Sequence, residues 1–132
     1  MKPELVWLLW AAALTFAQML LAVSGATLQV GLPALAGNRD GLPAFTGWAG
    51  RANRAHHNML ESLVLFAALV LIAVASDRTN ATTLMGAQIF VWARLAYAVV
   101  YVAGIPWLRT LVWLVSVVGM ILIFCQLLYP PV

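Results

Sequence analysis

Charged residues are so sparse along this chain that the gaps between them define its elements. No charge falls between Glu4 and Arg39. That interval exceeds the roughly 20 apolar residues that carry a helix across hydrocarbon, and it predicts a first span over about residues 5–32, closed by Pro33. The segment LPALAGNRDGLPAFTGWAG that follows is rich in Gly and Pro, carries Asn-Arg-Asp, and reads as loop. A second span, residues 50–76, runs through LVLFAALVLIAVA to the polar turn Asp77, Arg78, Thr79 and Asn80. A third, 81–103, is broken by Gly104, Ile105 and Pro106. The fourth, 107–129, carries no charge after Arg109 and stops at Pro130 and Pro131. The pattern predicts an all-α integral membrane protein, a four-transmembrane-helix bundle forming one membrane domain over residues 1–132.

Composition points the same way. Of 132 residues, 64% are hydrophobic and 8% charged, a balance that suits lipid and not water. The net charge of +3 comes from single, scattered basic residues, with none of the basic strips that grip nucleic acid. Cys125, the lone cysteine, lies in an apolar run and reads as a small hydrophobe. The first apolar run is longer than a signal-peptide core, so it is expected to stay as a helix despite the small residues at Ala22-Val23-Ser24.

Positive charge is biased to one side. Arg39, Arg51 and Arg54 flank the long loop against Asp40, and Arg109 lies at the turn on that same side, while Lys2 and Arg78 opposite are matched by Glu4 and Asp77. The bias places the long loop between the first two spans in the cytoplasm and both termini across the membrane. Trp48 and Trp107 are then expected at the cytoplasmic interface, and Trp7, Trp10 and Tyr129 at the other.

The candidate chemistry lies in polar residues that this arrangement forces into the membrane. On the second span Arg54, His57, Asn58 and Glu61 recur at i, i+3, i+4 and i+7, one face over two turns. On the third, Arg94, Tyr97 and Tyr101 repeat the spacing. At about 1.5 Å per residue, Glu61 lies roughly 10 Å beyond Arg54 and Arg94 roughly 15 Å before Gly104, so the two are expected to be able to pair. Buried charges in lipid cost enough that they mark function more often than packing. The competing readings are plainer: Arg51 and Arg54 as snorkelling arginines, Tyr101 as a belt residue, and Glu61 with Arg94 as a packing salt bridge. His56 and His57 are adjacent and point about 100° apart, a poor metal pair, and no metal site is expected.

Three runs, RAHHNMLE at 54–61, ARLAYAVVY at 93–101 and IPWLRT at 105–110, together resemble the MAPEG superfamily, membrane-associated proteins in eicosanoid and glutathione metabolism. The resemblance covers about residues 50–125. It implies a homotrimer of four-helix subunits binding glutathione as co-substrate at each subunit interface, near the cytoplasmic side. Carried across, it implies that Arg54, Asn58, Glu61, Arg94, Tyr97 and Tyr101 contact or organise glutathione. It also implies that Arg109 contacts or organises glutathione and that Thr110 falls where a relative has a serine near the thiol; because a neighbouring guanidinium lowers a thiol pKa, Arg109 is the candidate catalytic partner of the thiolate. Departures are Gln29, where relatives often have an arginine, His57 in place of arginine, and Trp113 in place of tyrosine.

The residue types suit that ligand independently. Glutathione presents two carboxylates, an amine and a thiol, and the stripes offer fork-shaped cations, a carboxylate and phenols. The expected activity is that of a glutathione transferase or peroxidase acting on lipophilic small molecules that arrive from the bilayer. Two alternatives stand beside it: a proton-coupled small multidrug exporter built on Glu61, and a noncatalytic membrane scaffold.

Overall fold

The computed structural model describes residues 1–129; Pro130 and Pro131, expected to stop the last span, lie outside the described residues. Four long helices follow the four apolar runs: α1 (Pro3–Val30), α3 (Gly47–Ala75), α4 (Ala81–Ala103) and α5 (Pro106–Leu128). All four are long and apolar enough to cross a membrane. The segment read wholly as loop contains one short helix, α2 (Leu32–Ala36), with Pro33 in its first turn, where a missing N–H costs nothing.

The breaks follow from local chemistry. Gly31 takes φ 84° and ends α1, a conformation that glycine adopts without a Cβ penalty. Gly104, also at φ 84°, closes α4 by donating its N–H to Val100 and Tyr101 carbonyls, and Pro106 opens α5 two residues later. Asn80 caps α4: its side chain accepts from the Thr82 and Thr83 amides at 2.9 Å, while its own N–H donates to Thr83 Oγ1 at 2.8 Å.

Helices α1 with α3, and α4 with α5, make the broadest contacts, and α3 and α4 join the two pairs. Small residues permit the close crossings, as expected where apolar burial does not itself distinguish helix from lipid. A Cβ on Gly119 would stand 2.6 Å from the Gly86 carbonyl oxygen, and one on Gly25 would stand 2.7 Å from the Ala49 Cβ. Between the pairs, Met59, Phe66, Phe90 and Ile123 are fully enclosed, with the Phe66 and Phe90 rings stacked 4.0 Å apart.

Side-chain bonds tie the bundle at both ends. At the end carrying the terminus, Arg78 donates to the Leu127 carbonyl at 2.9 Å and Asn80 to Gln126 at 2.8 Å. At the end carrying the long loop, Gln29 holds Thr46 through two backbone bonds of 2.6 and 3.0 Å. Arg51 Nε donates to the Val102 carbonyl at 2.8 Å.

Candidate functional site

The loop end of the bundle gathers aromatic rings and guanidinium groups from three helices. Arg54 comes from the second turn of α3, Tyr97 and Tyr101 from one face of the last turns of α4, and Arg109 from the first turn of α5. The Gly104–Pro106 break reverses the chain so that the last turn of α4 and the first of α5 lie side by side. Tyr101 is the hub. Its hydroxyl accepts from Arg54 Nε at 3.2 Å, and its ring lies 4.6 Å below the Arg109 guanidinium. Its ring centre is 5.5 Å from that of Tyr97, and Tyr97 in turn stacks 4.1 Å from the Arg94 guanidinium.

Cation–π contacts of this kind are each worth about 0.5–2 kcal/mol, rising as the cation is desolvated. They hold three arginines together without a carboxylate: among the described residues the ion pair is Lys2 with Asp77, at 3.8 Å, at the opposite end. The loop-end cluster is therefore a site of concentrated positive charge, and the N-terminus of α5, which carries Arg109, adds the positive end of a 23-residue helix. Tyr101 accepts from Arg54, so its O–H remains free to donate. Arg54 is exposed and Arg109 and Tyr101 are half-buried, whereas Tyr97 and Arg94 are buried behind them. Chemically the arrangement suits an anion, with cations at its rim and phenols in its wall.

Not every expected residue joins the cluster. Glu61 does not pair with Arg94; it is exposed, while Arg94 is 0% exposed. The reason is rotation about the helix axis. Ala55, Met59, Ser62 and Phe66 form the buried face of α3, and Glu61 stands about 200° around from Met59 at about 100° per residue. Thr110 is exposed and donates to the Pro106 carbonyl of its own helix at 3.4 Å. Asn58 is half-buried, with an Oδ1 that has no hydrogen-bond partner.

Two residues that sequence reasoning left aside shape the site. Arg51, weighed as a snorkelling arginine, reaches across to the last turn of α4 and lies against Gly104, where its Nε would be 3.4 Å from an added Cβ. It thus fixes the turn from which Arg109 projects. Gln29, noted as a departure from an expected arginine, anchors the loop. On the flank of α3 facing α1, a mainly apolar groove of about 370 Å³ is lined by Met19, Ala26, Leu32 and Phe45 and edged by Asn53 and His56. An apolar groove of about 510 Å³ runs between α4 and α5 past Ile89, Trp92, Ala96, Leu111 and Val115.

Comparison with known proteins agrees with this architecture. The chain belongs to the MAPEG family, whose sequence model matches residues 5–129, and so to the membrane proteins of eicosanoid and glutathione metabolism. Searches of curated proteins and of solved structures return no match.

Proposed function

We propose, from this membership, that the chain is a glutathione-dependent membrane enzyme, a transferase or peroxidase that activates the glutathione thiol for attack on lipophilic electrophiles. The observation that carries the reading is the Arg54–Tyr101–Arg109 cluster: two cations joined through one phenol, at one membrane face, with no carboxylate bonded to them among the described residues. Glutathione is an anion of matching chemistry. Arg54 binds a carboxylate, Tyr101 donates its free O–H, and Arg109 stands beside the sulfur.

Arg109 supplies the catalytic effect. A free thiol has a pKa of about 8.5, and a neighbouring guanidinium that lowers it by about two units contributes about 2.7 kcal/mol and makes thiolate the main form at neutral pH. In the transferase reaction the thiolate forms the new C–S bond as the electrophile's leaving group departs with its electron pair. The lipophilic partner approaches laterally along the groove between α4 and α5, which reaches Leu111, two residues beyond Arg109. Asn58, half-buried, and Glu61, on the exposed face of α3, complete the site for the amine and second carboxylate, where a neighbouring copy in a homotrimer covers Glu61. Thr110 joins through a rotamer change that releases the Pro106 carbonyl. The long loop lies in the cytoplasm, where glutathione is abundant, and both termini lie opposite.

Calorimetric titration of the detergent-purified protein with glutathione tests the reading directly. Saturable binding that Arg54→Ala weakens is expected. Absence of heat with glutathione, together with proton-coupled efflux of a lipophilic cation that depends on Glu61, would replace the enzyme with an exporter.

A further inference from the structure

Next to the Arg54–Tyr101–Arg109 cluster, a cleft of about 410 Å³ opens between the long loop and α3, with Arg39, Phe45, Gly50, Asn53 and Arg54 in its lining. Two guanidinium groups therefore serve one hollow, Arg39 from the loop and Arg54 from the helix, and both are exposed. Like charges so placed repel. Among the described residues no carboxylate offsets them: Asp40, adjacent in the chain, is exposed and forms no ion pair.

The walls of this cleft are held in place. Gly50, Asn53 and Arg54 stand at i, i+3 and i+4 on one face of α3. An added Cβ at Gly50 would lie 2.5 Å from the Phe45 carbonyl oxygen and 3.3 Å from Arg54 Nη1. The missing side chain thus lets the loop close down and the Arg54 guanidinium lie across the glycine, while its Nε bonds the Tyr101 hydroxyl. Thr46, next to Phe45, is pinned to α1 by the two bonds from Gln29. Arg39 adopts φ 63°, a left-handed conformation that costs a non-glycine residue energy. Its Nε donates to the Leu35 carbonyl at 2.8 Å and so caps the end of α2. A lysine could cap that carbonyl equally well; an arginine caps it and keeps the two terminal groups of its fork for another acceptor.

We infer that Arg39 is a further ligand-binding residue of this site, holding an anionic end group between itself and Arg54. The inference rests on the proposed function and gives the tripeptide a direction. In glutathione the amine and one carboxylate share a carbon at the γ-glutamyl end, and Asn58 and Glu61 are the residues assigned to them. The other carboxylate stands alone at the glycyl end. A lone carboxylate suits a cleft with two cations and no acid bonded to them, and Asn53 adds an amide N–H donor from the wall. The thiol, carried by the middle residue, then falls between the two ends, toward Arg109.

The test is calorimetric titration of the full chain in mild detergent with two ligands, glutathione and glutathione amidated at its glycyl carboxylate. The wild type is expected to prefer glutathione. Arg39→Ala is expected to weaken glutathione roughly fivefold to tenfold, the scale of a charge-assisted hydrogen bond at an exposed position, and to leave the amide's dissociation constant unchanged. Arg39→Gln, which keeps a donor for the Leu35 carbonyl, is expected to behave in the same way and decides the matter should Arg39→Ala lose helicity. Lys2→Ala, which removes a cation at the opposite end, is expected to change neither ligand. Normal glutathione affinity without the Arg39 guanidinium, an equal loss for both ligands, or as large a loss in Lys2→Ala would each overturn the inference and leave the proposed function standing. A wild type that binds no glutathione would remove the proposed function, and this inference with it.

Discussion

Glu4 opens α1, where a carboxylate is ordinarily solvated, yet it is 3% exposed and its Oε1 accepts from Thr83 Oγ1 at 2.9 Å. Two helix N-termini meet there, since Glu4 lies in the first turn of α1 and Thr83 in the first turn of α4, and their positive ends favour a buried anion. Thr83→Val removes the hydroxyl that the carboxylate bonds among the described residues, and is expected to destabilise the protein by about 1–3 kcal/mol in detergent unfolding. Glu4→Gln keeps an acceptor without the charge and is expected to cost less. At the other end Arg109 is tested through pH. If the guanidinium lowers the thiol pKa by two units, Arg109→Ala is expected to lose roughly 25-fold in turnover at pH 7, because the thiolate fraction falls from about three-quarters to about 3%. The loss narrows as pH rises toward 8.5, where the unassisted thiol ionises on its own. A constant deficit across that range, or normal turnover at pH 7, would leave Arg109 as a charge that only orients the chain. Arg109→Lys is expected to retain part of the activity, since ammonium supplies charge without the planar fork.

Between the residues, the helices owe their positions to glycines that hydropathy does not reveal. The Gly86–Gly119 crossing brings backbone to backbone, so a methyl at Gly119 meets a carbonyl oxygen that cannot swing aside. Gly119→Ala is expected to cost about 1–3 kcal/mol through overpacking. Gly37→Ala, whose Cβ would meet ordinary contacts at 3.6 Å, is the matched control in the same unfolding measurement. The spans themselves were legible because charge spacing and hydrocarbon thickness leave little choice, and the helix bounds fall within three residues of those expected. The Arg54, Tyr97 and Tyr101 stripes were legible because helical periodicity states which residues share a face. Rotation of one helix against another is not written in periodicity, and this is why Glu61 points outward where a partnership with Arg94 was expected. Glu4 was legible only as a terminal charge and Arg51 only as a snorkelling arginine, for a related reason: only the neighbouring helix reveals what each faces.

At the scale of the whole molecule, the outward face of α3 is the feature that one chain leaves unresolved in lipid. Arg54, His57 and Glu61 are all exposed along α3, and a carboxylate such as that of Glu61 facing hydrocarbon costs several kcal/mol even on lenient scales, about 2.5–3.5 kcal/mol near the centre. In the proposed homotrimer a neighbouring copy would cover them. Identical chains related by a three-fold axis meet head-to-tail and close as a ring. Mass measurement in mild detergent is therefore expected to give about three times the 14.3 kDa of one chain. Glu61→Leu removes the carboxylate that most needs the neighbour, so it is expected to weaken the ring on dilution while leaving each helix intact by circular dichroism. A monomer of unchanged helicity in the wild type, still binding glutathione with Arg54, would show that one bundle completes the site alone and that the exposed stripe of α3 serves something other than assembly.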